Sequence, residues 1–205
     1  MMSRIYLDHN ATMPLRAEAR AAMIAAMDVV GNPSSAHQEG RAARTVLEKA
    51  REDIAVGVGA IGADIIFTSG ATECASLALS QGTFYCAEIE HEAVVEGCEA
   101  SLPVDCNGIV GVVNPPQSAL QLANGETGVM QDLPDGLWFS DMTQALGKTP
   151  LAFNWLPAQT AAVSAHKLGG PKGVGALVVK RGTDIAAQIK GGGQEMGRRS
   201  GTENV

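Results

Sequence analysis

Apolar positions recur along this chain with two different periods, and the change comes near residue 60. Before it, a short apolar run at residues 5–7 stops at the polar Asp8, His9 and Asn10, and Pro14 opens a helical pattern with Met23, Ile24 and Met27 on one face. A stronger helix is predicted over residues 35–58. There Val46, Leu47, Ala50, Ile54 and Val58 repeat at helical spacing, while Arg44, Glu48, Arg51 and Glu52 fall mostly on the other side. Ser34 or Ser35 is the expected cap.

After residue 60 short apolar runs alternate with glycine, proline or helical stretches, which is an α/β texture. Seven strands are predicted, centred on Ile65-Ile66-Phe67, Phe84-Tyr85-Cys86, Leu102-Pro103-Val104, Leu120-Gln121-Leu122, Leu137-Trp138-Phe139, Ala161-Ala162-Val163 and Ala176-Leu177-Val178-Val179. The third contains a proline, which cannot donate to a ladder. Helices at residues 72–79 and 91–99 fit right-handed parallel crossovers between the first three strands. Residues 105–118 hold Asn107-Gly108 and Pro115-Pro116, so any helix there is short. Only residues 164–174 separate the last two strands, which are therefore expected to run antiparallel in a mixed sheet. Residues 1–60 read as an N-terminal segment with helices and residues 61–205 as one large domain, without internal repeats.

The chain has 205 residues, 45% hydrophobic and 18% charged, and a formal net charge of −7. That acidic balance argues against a general binder of nucleic acid or anionic membrane. The residues after Met1-Met2-Ser3 turn polar without an apolar core, so no targeting signal is expected, and no window reaches transmembrane length. Cys74, Cys86, Cys98 and Cys106 are irregularly spaced and lack a CxxC pair, which reads as reduced thiols in the cytoplasm. A metal site from Cys86, His91 and Cys98 is not expected, because zinc-type spacings are absent.

Several motifs carry candidate chemistry. The GxGxxG of residues 57–62 follows a helix and precedes a strand, the reverse of the dinucleotide-binding order, and reads as a helix terminus. Thr68-Ser69-Gly70-Ala71-Thr72-Glu73 lies between a strand and a helix, where backbone N–H groups and a small hydroxyl hold a phosphate; alone it is a plain cap. Lys167 ends an apolar strand in a glycine-rich loop, where partial desolvation would make its amine a nucleophile toward carbonyls; most loop lysines, Lys172 among them, are simply solvated. Asp141, with Gln144 three residues on, could pair with a cationic ring nitrogen, and His91 opens a helix. Each has an ordinary capping or surface reading. All four nevertheless fall after predicted strands, at the edge where open α/β sheets bind ligands.

Together these segments resemble a known family. YLDHNATMP, GNPSSAH, FTSGATE, Glu90-His91, ANGETG, SDMTQALGK, SAHKLGGPKG and GGGQEMGRRSGTENV, in this order, are similar to motifs of the pyridoxal-phosphate-dependent cysteine desulfurases of the class V aminotransferase group. The resemblance implies a three-layer PLP-transferase large domain with a mixed, mostly parallel seven-stranded sheet. It also implies two catalytic residues, Lys167, joined covalently to pyridoxal 5'-phosphate (PLP), and His91, stacked on the ring, with Asp141 on the pyridine nitrogen. Gln144 would meet the phenolic oxygen, and Ala71, Thr72, Ser164 and His166 would hold the phosphate. Thr202 would reach the phosphate of a second subunit, making a homodimer part of the site. L-cysteine would be converted to L-alanine, its sulfur passing as a persulfide to an acceptor protein, as in iron–sulfur cluster assembly. A related selenocysteine lyase, an aminotransferase or a non-catalytic partner are the other readings of the same scaffold.

Two departures stand out. Gly125 replaces a family asparagine, with Asn124 beside it as the candidate substitute. The family also continues past the motif ending at Val205, into a small domain with a nucleophilic cysteine and a carboxylate-binding arginine. The chain is therefore expected to be the cofactor-binding part of a desulfurase, unable alone to pass on sulfur at a useful rate. Its links after the third and fourth strands are also shorter than the family's.

Overall fold

The computed structural model describes residues 4–205; residues 1–3, the start of the stretch read for a targeting signal, lie outside the described residues. The chain runs α1 (Ala17–Met27), α2 (Gln38–Gly57), β1 (Asp64–Thr68), α3 (Ala71–Leu79), β2 (Tyr85–Cys86), α4 (Glu92–Val95), β3 (Glu99–Ala100), β4 (Phe139–Asp141), β5 (Thr160–Ser164) and β6 (Gly175–Val179). α2 buries Ala43 and Leu47 as its spacing requires. Its cap is His37 rather than Ser34 or Ser35: the ring nitrogen accepts from the Gly40 N–H at 3.3 Å. Gly40 packs so closely on the Ser35 carbonyl that the chain must turn between them before the helix can start. The expected apolar face of α1 stays open, with Ile24 55% and Met27 74% exposed and no residue of the helix buried.

One sheet has the order β1-β6-β5-β4, with β4 and β5 parallel and the other two pairs antiparallel. β2 and β3 form a parallel pair. Residues 118–122 lie between these sheets, through parallel bridges Tyr85–Ser118 and Ala119–Phe139 and N–H bonds from Leu120 and Leu122 to the carbonyls of Phe139 and Asp141. Among the described residues there are thus six regular strands, not seven. The predicted fourth strand is this bridging stretch, and the predicted third falls earlier, at β3. Pro103 has no N–H to give, and its carbonyl instead accepts from Gly111 in a hairpin closed by Val104 and Val110. The predicted helix at 91–99 ends after Val95, where a turn closed by the Gly97 N–H on the Val94 carbonyl redirects the chain into β3.

Period-2 alternation divides the core between two faces. Ile66, Ala162, Leu177 and Val179 pack on α3, whereas Ile65, Ala161, Val163, Ala176 and Val178 face Phe153, Met142 and the end of α2. Phe139 and Phe153 are completely buried, each stabilising the fold by roughly 1.5–3 kcal/mol. The glycine-rich segment after β6 is pinned to this body. Glu195, held with Met196 at positive φ, is 4% exposed, and its carboxylate takes two bonds from Arg51, at 2.7 and 3.0 Å, and one from the Phe67 N–H at 2.8 Å. Arg198 pairs with Asp64 and Arg199 with Glu73.

Candidate active site

β1, β4 and β5 all end at one edge of the sheet, which opens into a cleft of about 910 Å³. Its lining brings together Ala71, Thr72, His91, Asn124, Asp141, Gln144, Ser164, His166 and Lys167, nine residues singled out from the sequence. The tenth, Thr202, is exposed and does not line the cleft of its own chain.

At one end of the cleft, α3 begins at Gly70 with no side chain capping its first N–H groups. An uncapped helix start beside Ala71 and Thr72 is a ready anion site. The turn is held from behind. The Glu73 carboxylate accepts from the Ser69 N–H at 2.7 Å and from Arg199 Nε at 2.9 Å. Gly175 passes so close that a Cβ there would stand 2.6 Å from Gly70 Cα, so no larger residue fits.

The other end is built on β5, five buried residues followed by a 3-10 turn, Ala165–Lys167. Lys167 Nζ donates to the Asn10 carbonyl at 2.6 Å, and Gln144 Nε2 donates to the same oxygen at 3.2 Å. Asn10 Nδ2 in turn donates to the Gly125 carbonyl at 2.7 Å. The N-terminal segment is strapped along the lysine loop by the Met13 N–H on the His166 carbonyl, 2.8 Å, and the Arg16 N–H on the Gly169 carbonyl, 2.9 Å. Gly169 sits at φ +86° with Arg16 against its α-carbon, which only glycine permits. His166 meets Thr12 Oγ1 at 3.2 Å. Burial, with the neighbouring Lys167 and Lys172 charges, holds its pKa below the ordinary histidine value.

Asp141 and Glu90 line the floor. Asp141 Oδ1 accepts from the Thr143 N–H at 2.8 Å. Glu90 is only 7% exposed; one oxygen accepts from the Gln121 N–H at 2.8 Å and the other has no partner. Burial pushes this carboxyl well above the usual range, Asp141 and Cys86 adding to the effect and the Gln121 N–H opposing it. His91 caps α4, its Nδ1 accepting from the Ala93 N–H at 3.1 Å.

Sequence reasoning missed Asn10 and Glu90 as parts of the site. Asn10 acts on Lys167 through a backbone carbonyl, which has no side-chain signature, and Glu90 carries no sign that it is buried. Asn124 lines the cleft, and its Oδ1 accepts from the N–H groups of Glu126 and Thr127 and from the Thr127 hydroxyl, shaping the 124–128 turn. A Cβ at Gly125 would meet only ordinary contacts with Gln144 and Asn10, so that position has room for a side chain.

None of the four cysteines lines the cleft. Cys74 is fully buried, its thiol pushed up to about 12 by desolvation, with its sulfur 3.1 Å from Thr68 Oγ1. Cys86 is buried, Cys98 is half-buried beside it, and Cys106 is exposed in a turn. Among the described residues no three His, Cys, Asp or Glu side chains stand together as a metal site, and no helix is long and apolar enough to cross a membrane.

This α/β body brings an open helix start, a strand-end lysine and a floor carboxylate into one cleft. The chain belongs to the Aminotransferase class-V family, which it matches over residues 5–101 and 107–204. It is 36% identical to the cysteine desulfurase IscS of Dictyoglomus turgidum and 34% identical to the IscS-like cysteine desulfurase of Mycobacterium tuberculosis. The first alignment covers all of this chain and 61% of the relative, the second 98% and 61%. A solved NifS-like protein superposes with a TM-score of 0.88 at 32% identity, over 98% of this chain and 66% of that one. The chain thus spans about three fifths of the length of these curated relatives. The cysteine desulfurases of this family are pyridoxal-phosphate dependent.

Proposed function

We propose that this chain is the PLP-binding part of a cysteine desulfurase acting on L-cysteine. The observation that carries the reading is the meeting, in one cleft, of Lys167 with the uncapped start of α3 and with Asp141. The donor set fits the cofactor: first-turn N–H groups with Thr72 and Ser164 for the phosphate, Lys167 for the aldehyde carbon, Asp141 for the pyridine nitrogen, Gln144 for the phenolic oxygen and His91 for the ring face. PLP, when bound, supplies an electron sink that stabilises negative charge at the substrate α-carbon. Lys167 Nζ then takes and returns the α-proton. Asp141, anchored by the Thr143 N–H, would hold the ring nitrogen. The Asn10 carbonyl holds Lys167 Nζ at the mouth of the cleft.

Sulfur transfer needs a thiolate to attack the substrate sulfur, breaking the carbon–sulfur bond to leave alanine and a persulfide. No cysteine of this chain lines the cleft, so we assign that thiol to a polypeptide segment other than residues 1–205, in the same protein or in a partner. We further place the protein in the cytoplasm, as a homodimer in which Thr202 serves the partner's cleft. In support, Thr202 lies exposed beyond the segment that Arg51 and Arg199 pin down, and the four thiols are free.

The test is an absorbance spectrum of the purified protein with PLP. A visible band that borohydride abolishes is expected, lost in Lys167→Ala and retained in Lys172→Ala; the opposite pattern refutes the assignment. Alanine release from L-cysteine is expected only when a thiol-bearing C-terminal part of a relative is added in trans. Brisk release by residues 1–205 alone would overturn the assignment of the thiol.

A further inference from the structure

Gln144 has a neighbour that decides which way its amide faces. β4 is followed by a helical turn in which Ala145 and Leu146 donate to the Met142 carbonyl and Lys148 and Thr149 to the Ala145 carbonyl. Gln144 lies in this turn and Lys148 just past Gly147, whose φ of +74° folds the chain back, and the Lys148 ammonium donates to Gln144 Oε1. An ammonium has three donors and no acceptor, so the amide atom it meets must be the oxygen. The nitrogen is left to point the other way, onto the Asn10 carbonyl that also holds Lys167. Lys148 is itself outside the cleft lining and can act there only through its neighbour.

We propose that Lys148 is a positioning residue that locks the Gln144 amide with its N–H group toward Lys167, making position 144 a hydrogen-bond donor to an anionic oxygen bound beside that lysine. The proposal rests on the PLP reading for the identity of that oxygen, the cofactor's phenolate, but not for the orientation of the amide. An amide free to rotate would offer its carbonyl to the phenolate in part of the population, and two acceptors face to face repel. The fixed cation removes that alternative. Partial burial and the neighbouring Lys167 charge hold the Lys148 pKa below the ordinary lysine value, so the lock weakens at alkaline pH.

The experiment uses Lys148→Met, Lys148→Arg and Gln144→Ala, singly and combined. In the PLP-loaded protein, the pH at which the visible band changes form should rise by about one unit in Lys148→Met, the scale of one charge-assisted hydrogen bond. It should return toward the wild-type value in Lys148→Arg. In the Gln144→Ala background the Met substitution should add nothing, because its path runs through Gln144. An equal shift in both backgrounds would mean that Lys148 acts by charge alone, and no shift at all would mean that it does not act; either overturns the proposal. The Gln144 side-chain amide resonance of the cofactor-free protein gives a second reading: Lys148→Met should lose its rigid, protected signal and Lys148→Arg keep it. An equally rigid amide in Lys148→Met refutes the lock whether or not PLP binds. A wild-type protein without any PLP band would instead refute the cofactor assignment, leaving the amide signal to judge Lys148.

Discussion

Replacing Glu90 by glutamine removes a titrating proton from the cleft floor while keeping the side chain's shape. In the unfolded chain a glutamate titrates near pH 4.3, about the value of a free side chain. In the folded protein burial raises that pKa, since one carboxyl oxygen has no partner and the side chain is almost sealed from water. Between the two values the folded state holds a proton that the unfolded state has lost. Stability from this group is therefore complete below the unfolded pKa and is lost as pH rises through the folded one, at a slope approaching 1.4 kcal/mol per pH unit, about 2.303RT. Glutamine has no such proton, and its carbonyl can still accept from the Gln121 N–H. Urea unfolding of the two proteins without added cofactor, from pH 5 to pH 8 at constant ionic strength, should show Glu90→Gln gaining on the wild type as pH rises. Groups such as His166, whose depressed pKa acts with the opposite sign, cancel in the difference. Parallel stability curves would refute the claim that Glu90 is buried and proton-holding.

Arg51→Ala leaves the Glu195 carboxylate, 2% exposed as a side chain, without its cation, and should cost about 3–5 kcal/mol in urea unfolding; a loss below about 1 kcal/mol would mean that the pair is not formed. With a thiol reagent on the native protein, Cys106 should react first and Cys98 more slowly, while Cys74 and Cys86 wait for unfolding. Cys74 labelled as fast as Cys106 would contradict its burial.

Much of the fold could be read from the chain because the strands obey simple rules. Ala161 to Val163 and Ala176 to Val179 are continuous apolar runs, and β5 and β6 are buried along their whole length. The short link between them correctly implied an antiparallel pair. What failed were boundaries decided by single backbone groups. Pro103 moved a strand by withholding an N–H, Gly97 shortened a helix, and His37 replaced a serine as cap because of how closely Gly40 and Ser35 pack. The candidate cleft was legible where chemistry sits at a strand end, as for Lys167 and Asp141. It was illegible where a backbone carbonyl does the holding, as at Asn10, or where tertiary burial changes the character of a residue, as at Glu90.

The strap over the lysine has a bearing on how the protein is made. Asn10 and Lys167 meet across 157 residues of chain. At about 5–20 residues per second of synthesis, the strap leaves the ribosome on the order of ten seconds before its partner exists. Among the described residues β1 likewise pairs only with β6, more than 100 residues later in the chain. A nascent chain therefore carries an open strand edge and an unattached N-terminal arm until residues 175–179 emerge, and the sheet and the lysine cleft then close in the same late step. Ribosome-bound chains halted before residue 175 should be cut readily within residues 8–16 by a protease that spares the finished protein.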